Sequence, residues 1–375
     1  MNLSDLARNS CMLRGSLKKR GYMRWWHSFS GVQPQTGEIR TFFVEIFMIN
    51  SGLGGTQPIL GQHPYYKKRG MRPSYVMVKA GVFPDEHGED ARQLHAFYPI
   101  SSLQATGCPL VMQLEEGQTQ RCLYSEDRLT GFVEVTPVEA RHRSLMSDAG
   151  YMEWDVEVRK AVSCHTGILG GRLHQVLNAL DSFWHGEGIR SFFRGSVTLD
   201  GTTYEVTPEL SYGYADKHWG RCFNRPWFQF ACGKLASERT GKELRHSVLA
   251  VNSLCPRLFL FPLRHRLKLQ LTYMGEDFEF TRCKWETKET KKRFIWHILA
   301  RNKTAVVKIS GSCTKKEMLH LQYEDPEGRK TKQPLWAGAG GVGSVQLFRR
   351  VHGGRELLDT LKLDSALSIY QALPQ

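Results

Sequence analysis

The chain has 375 residues, of which 41 % are apolar, 11 % aromatic and 23 % charged, a composition that fits one large or two ordinary globular domains and excludes disordered and collagen-like classes. No apolar run approaches the eighteen residues of a membrane span, and the first fourteen residues interrupt their apolar positions with Asp5, Arg8 and Asn9, so a cytoplasmic location is expected. The formal charge of +14 raises a nucleic-acid reading, but the basic runs at 67–69, 264–266 and 291–293 are short and scattered. No nucleic-acid partner is expected; a transient contact with an anionic membrane surface is compatible with the same charge.

Taken in chain order, strand signals fall at 41–49, 75–82, 131–135, 152–158, 267–272, 277–280, 294–299, 305–309 and 344–348. These segments are short, rich in β-branched and aromatic residues, and bounded by Gly, Pro, Asn or Asp. In 266–272 every second residue is leucine, which puts one face in a core and the other in water. Helical periodicity is confined to Leu173, Val176, Leu177, Leu180 and Trp184, and to Leu357, Leu358, Leu361 and Tyr370, and predicts two peripheral helices. Many antiparallel strands without alternating helices favour barrels or sandwiches over a doubly wound sheet.

An internal echo points to two similar halves. Gly21-Tyr22 precedes Trp25-Trp26-His27 and an aromatic strand, as Gly213-Tyr214 precedes His218-Trp219 and then Trp227 to Phe230. Trp154 and Trp296, and later Ser163-Cys164 and Ser312-Cys313, recur in the same order,. A seam is expected near His185 to Arg190, giving domains 1–187 and 188–375. The nine cysteines contain no C-x-x-C pair and are expected to be reduced thiols rather than zinc ligands.

The densest group of reactive side chains is 213–223, with Tyr214, Asp216, Lys217, His218 and Trp219 between glycines. It suits a bend that points polar groups into an apolar cavity, where burial would raise an aspartate pKa and lower those of lysine and histidine while mutual pairing would do the reverse. Asp216 and Lys217 equally suit a structural turn pair, and Trp219 a core position.

This segment resembles the G-Y-x-E-K-[DN]-W-G-x-x-F-P signature of the tocopherol cyclase family, whose relatives include carotenoid hydratase-like and lipocalin-like Diels–Alderase proteins. The upstream residues 195–201 and Tyr204 match the strand and turn that precede the signature. The resemblance implies a mainly β fold of two lipocalin-like antiparallel β-barrel domains with a few peripheral helices. Its specific part is limited to 195–230. This chain departs from the pattern at Asp216 for Glu, His218 for Asp or Asn, and Asn224 for Pro. Where the family continues with W-x-Q-[SC]-N the chain has Gln229 to Gly233, and it has Arg24-Trp25-Trp26-His27 where the family tends to G-W-Y-x-K. The architecture transfers more readily than the reaction.

Other candidates are weaker. The glycine-rich 338–343 runs into a strand and not a helix, and so predicts a bend rather than a phosphate loop. The fourteen histidines show no H-x-H or H-E-x-x-H pair, and no metal or other cofactor is expected. His27 corresponds in the first half to the His218 region, though an ordinary hydrogen-bonded histidine fits as well. Glu45 lies within an apolar strand, where it is costly if inward-facing and bland if alternation turns it out.

These residues predict a cofactor-independent cyclase or isomerase for a hydrophobic aromatic or polyene substrate, held in an aromatic-lined pocket at or between the barrels. Asp216, His218 and Lys217 are the candidate catalytic groups; Tyr214, Trp219, Trp227, Gln229, Trp25, Trp26, His27 and Glu45 are the candidate substrate contacts. Asp216 or an imidazolium His218 would protonate an alkene for phenol attack; alternatively His218 as base, with Lys217 or Tyr214 polarising a carbonyl, would guide addition to an enone. Hydration of a double bond is a third outcome. A non-catalytic carrier of a hydrophobic ligand is the rival reading. The sequence leaves the oligomeric state open.

Overall fold

The computed structural model describes residues 3–85, 87–88, 90–165, 182–210, 213–222, 227–254, 257–258, 261–329 and 335–371. The fold is mainly β, as expected. The first sheet has twelve strands: β1 (Tyr22–Val32), β2 (Ile39–Ile49), β3 (Tyr75–Val82), β4 (Arg92–Tyr98), β5 (Leu103–Thr106), β6 (Val111–Glu116), β7 (Thr119–Tyr124), β8 (Arg128–Val135), β9 (Gly150–His165), β10 (Ser182–Leu199), β11 (Thr202–Val206) and β12 (Gly213–Gly220). The second has eleven strands, drawn from β13 (Trp227–Cys232), β14 (Lys234–Ser237), β15 (Val248–Leu254), β18 (Arg266–Tyr273), β19 (Glu276–Phe280), β20 (Arg282–Glu289), β21 (Arg293–Arg301), β22 (Ala305–Thr314), β23 (Met318–Leu321), β24 (Leu335–Val351) and β25 (Gly354–Gln371), while β16 (Arg257–Leu258) and β17 (Phe261–Pro262) form a separate hairpin. Helices α1 (Leu3–Asn9), α2 (Pro64–Lys68) and α3 (Pro137–Ala140) are short.

Among the described residues all the strand pairings are antiparallel, and both sheets curl into barrels: β4 approaches β8 and β9 in the first, β18 approaches β20 in the second. Each barrel encloses an apolar core, one around Trp25, Trp154 and Phe193, the other around Phe230, Trp296 and Leu347. A third apolar layer lies between the sheets. It joins Trp26, Phe43, Phe47 and Tyr214 of the first to Trp227, Ala250, Leu321 and Ile369 of the second.

Because strand side chains alternate, β1, β2 and β12 contribute one face to the first barrel and the other to this middle layer. Full burial of each large apolar side chain is worth about 1.5–3 kcal/mol, so two-sided burial fixes the register of these strands strongly. Trp26 stacks on Phe43 at 4.8 Å between ring centroids.

Several expectations need correction. The segment around Asp216 is not a bend: it is the regular strand β12, buried throughout, paired with β1 on one side and β10 on the other. The helix expected from Leu357, Leu358, Leu361 and Tyr370 is instead part of β25, whose long pairing with β24 satisfies its backbone. The glycine-rich 338–343 lies inside β24, with register shifts at Gly338/Gly341 and Gly341/Gly343. A Cβ on Gly343 would stand 2.3 Å from the Ser310 carbonyl oxygen, so glycine is required there by the neighbouring strand.

The other expected helix lies mostly outside the described residues, and its last member, Trp184, is in β10. The expected division at 187/188 cuts β10, a strand of the first sheet. The change of sheet falls between Gly220 and Trp227.

Candidate functional site

The charged residues that strand alternation sends into the middle layer find one another there. Cross-strand pairs run Asp216 to Trp26, Trp26 to Glu45, Glu45 to Lys79, and Lys79 to His95 across four adjacent pairings. Arg24, two residues before Trp26, pairs with His218. Arg24, Glu45, Lys79 and Asp216 are all fully buried.

Asp216 Oδ2 accepts hydrogen bonds from the Tyr214 hydroxyl at 2.6 Å, Trp184 Nε1 at 2.9 Å and Gln229 Nε2 at 2.9 Å. The gathering of three donors on one oxygen supports a charged acceptor in a low-dielectric setting. Gln229 Nε2 also reaches the Tyr214 hydroxyl. Arg24 stands between two carboxylates, 3.7 Å from Asp216 Oδ1 and 3.8 Å from Glu45 Oε1. Its guanidinium lies over the Trp227 and Trp26 rings at 4.7 and 5.4 Å. Glu45 Oε2 accepts from the Tyr323 hydroxyl at 2.8 Å and lies 3.6 Å from Lys79 Nζ.

Electrostatics follow from this burial. Desolvation disfavours the Arg24 charge, but Asp216, Tyr323 and Glu45 outweigh it and raise its pKa above the ordinary arginine value. Burial pulls Lys79 down to about 8 against the attraction of Glu45. Burial, helped by Arg24, pulls His218 down to about 3 although Asp216 opposes it. These surroundings favour the neutral imidazole of His218 over the imidazolium acid considered above. Burial and the Asp216 carboxylate push the Tyr214 phenol well above its usual range, so it keeps its proton,.

A cleft of about 510 Å³ opens between the sheets, with Ser28, Phe83, Ile189 and Tyr214 on one wall and Ala231, Ala339 and Leu367 on the other. Its size suits a small organic molecule. Tyr214 is the link between this space and the buried charges: it lines the cleft, and its hydroxyl bonds to Asp216. Asp216 itself does not line the cleft. Gly213, also on the wall, is confined by Phe193: a Cβ there would stand 2.1 Å from Phe193 Cε2.

The structure splits the expected site along the two faces of its strands. Tyr214, Asp216, His218, Trp26, Glu45, Trp227 and Gln229 share the middle layer. Lys217, Trp219, Trp25 and His27 face the first barrel instead: Trp25 and Trp219 belong to its core, Lys217 Nζ lies 5.2 and 4.9 Å from their rings, and His27 packs beside Tyr124 and Phe193. Lys217 thus stands apart from Asp216 and His218.

Sequence reasoning missed Arg24, Lys79, Trp184 and Tyr323. Arg24 and Lys79 carried a readable signal, each being a charge inside an otherwise apolar strand, as with Glu45. Tyr323 carried none, since it follows β23 and reaches Glu45 only through sheet packing. Among the described residues, no group of three or more His, Cys, Asp or Glu could hold a metal ion, no helix is long and apolar enough to cross a membrane, and Cys11, Cys108, Cys122, Cys232, Cys283 and Cys313 are free thiols.

No protein-family model and no curated protein matches the sequence. Among solved structures, the chain is similar to one provisionally assigned as an AttH protein of Nitrosomonas europaea, at 11 % identity and a TM-score of 0.43, over 92 % of each chain. It is also similar to kievitone hydratase from Nectria haematococca, at 10 % identity and a TM-score of 0.43, over 93 % of this chain and 89 % of that one.

Proposed function

We propose that the protein is an enzyme that transfers a proton to or from a hydrophobic small molecule bound in the cleft between the barrels, with the Tyr214–Asp216 pair as its acid–base group. The observation that carries this reading is the 2.6 Å hydrogen bond between a cleft-lining phenol and a buried carboxylate. Tyr214 is the group that meets the substrate. Asp216, fixed by Trp184 and Gln229, orients the phenol and takes up its proton as the phenol oxygen accepts one from the attacking O–H, and the reverse transfer delivers a proton to the substrate carbon. The cleft walls, which combine Phe83, Ile189 and Leu367 with charged residues such as Arg40, Lys234 and Glu317, hold a flexible molecule in one conformation beside Tyr214.

The reaction is a lyase or isomerase step needing no redox partner: closure of an oxygen ring, addition of a phenol to an enone, or hydration of a double bond. All three require one proton delivered beside an apolar skeleton. The resemblance of 213–223 to the tocopherol cyclase signature supports the first of them.

A carrier without chemistry is the second reading, favoured by the complete burial of Asp216 behind Tyr214 and by the balance of two cations, Arg24 and Lys79, against two carboxylates, Glu45 and Asp216. Titration with a lipophilic phenol, an enone and a polyene, followed by product analysis, separates the two. Saturable binding with turnover supports the enzyme; saturable binding without turnover for every ligand supports the carrier.

A further inference from the structure

The middle-layer site leaves Trp25, His27 and Lys217 without a role, and the first barrel gathers them beneath the N-terminal segment. Asn9, at the end of α1, is fully buried. Its amide nitrogen donates to the Tyr124 hydroxyl at 2.8 Å and to Glu126 Oε1, and its amide oxygen accepts from Trp25 Nε1 at 2.8 Å. Both N–H bonds and the carbonyl of a primary amide are thereby recognised. The carbonyls on either side are also held, since Lys217 Nζ donates to Arg8 O at 2.8 Å and to Ser10 O.

Behind the amide, Lys160 Nζ donates to Glu187 Oε2 at 2.7 Å, Glu126 Oε2 at 2.9 Å and the Tyr124 hydroxyl at 3.1 Å. Tyr124 in turn donates to Glu187 Oε2 at 3.0 Å. Packing alone does not ask for such a set, because apolar side chains of similar volume would fill the space without desolvating an amide and several charges. His27, buried and 5.3 Å from the Tyr124 ring, has an Nε2 with no hydrogen-bond partner among the described residues. It offers a second polar contact that Asn9 does not use.

We propose that this cluster is a binding site for a primary carboxamide, filled in the closed protein by Asn9 of the chain's own N-terminal segment and opened when an external carboxamide displaces it. The acceptor pair Glu126 and Tyr124 with the Trp25 donor selects an amide over a carboxylate, which Glu126 and Glu187 would repel. A secondary amide would leave Glu126 or Tyr124 without a proton. The segment is suited to leaving: α1 has seven residues, too few to be helical alone, so its order depends on these contacts. The inference does not rest on the acid–base reading of the middle layer.

Native-state hydrogen exchange on the intact protein tests it, with acetamide as the probe because it is the asparagine side chain in isolation. Amides of residues 7–11 are expected to exchange by local opening, faster than those of β1 and β2. Acetamide should accelerate them about threefold at twice its dissociation constant for the open site, while acetate does not. In Asn9→Gly, acetamide should raise the unfolding temperature saturably, again unlike acetate. Exchange of 7–11 only with global unfolding, or equal effects of acetate and acetamide, would overturn the proposal. If Asn9→Gly does not fold, the exchange measurement on the unaltered chain decides alone.

Discussion

Asp216 and Lys217 are consecutive in sequence and serve different compartments. The carboxylate of Asp216 meets Tyr214, Trp184 and Gln229 between the sheets, while the amine of Lys217 meets backbone carbonyls of the N-terminal segment in the first barrel. The strand period of two produces this division, and it restricts any shared chemistry to Tyr214, Asp216 and their partners in the middle layer.

Arg24→Met should destabilise the protein by about 3–5 kcal/mol, because Asp216 and Glu45 would each remain buried beside one cation fewer. Urea denaturation measures this. A loss below about 1 kcal/mol, the range of an exposed pair, would mean that Arg24 does not hold the two carboxylates.

Tyr214→Phe removes a hydroxyl and leaves the ring in the cleft wall. Stability should fall by about 0.5–1.5 kcal/mol, ligand affinity should change little, and turnover should drop about 10²- to 10⁴-fold. Retained turnover would move the acid–base role to another residue.

The pH dependence of stability has two windows. Burial and Arg24 hold His218 near about 3 in the folded chain, against about 6.5 unfolded. Its contribution is therefore complete above the unfolded value and is lost as pH falls toward about 3, at up to about 1.4 kcal/mol per pH unit. Burial lowers His27 and His95 in the same direction, so acid destabilisation should be steep, and His218→Gln should reduce the slope by one group's share. Lys79, drawn down by burial to about 8, adds stability as pH rises from there to its unfolded value of about 10.4; burial lowers Lys217 and Lys268 in the same direction, so Lys79→Met should reduce that limb by one group's share. Urea midpoints measured in both windows check the two signs.

Gly213→Val should disturb the core of the first barrel, where Phe193 is buried, and through β12 the cleft wall. The nearest atoms to the added side chain belong to the Phe193 ring, at 2.1 and 2.2 Å, and the next is the Ser191 carbonyl oxygen at 3.0 Å, so Phe193 and the start of β12 must both shift. Ligand affinity should fall markedly, as measured by fluorescence titration. Unchanged affinity would place the ligand away from Tyr214.

The strand content was legible because short β-branched and aromatic runs bounded by turn residues have few alternatives; 75–82 matches β3 end to end. The 357–370 segment misled because its leucines also fit a helical spacing, and only pairing with β24 resolves the ambiguity. The 213–223 cluster read as a bend because four polar or aromatic side chains in succession look unsuited to a strand. A strand buried on both faces accommodates them when each face has its own polar partners. Those partners, Arg24 and Trp184 for Asp216 and the Arg8 and Ser10 carbonyls for Lys217, lie far away in sequence, and no local pattern pairs them with this strand.

Turnover in deuterium oxide tests the central claim most directly. A lipophilic phenol bearing an alkene, an enone or an isolated double bond is incubated with the protein, and the product is analysed by mass spectrometry. The account predicts one deuterium bound to carbon per product molecule, lost in Tyr214→Phe and Asp216→Asn variants that still bind the ligand. Equal incorporation by those variants, or binding at the cleft with no conversion of any substrate class, would contradict it.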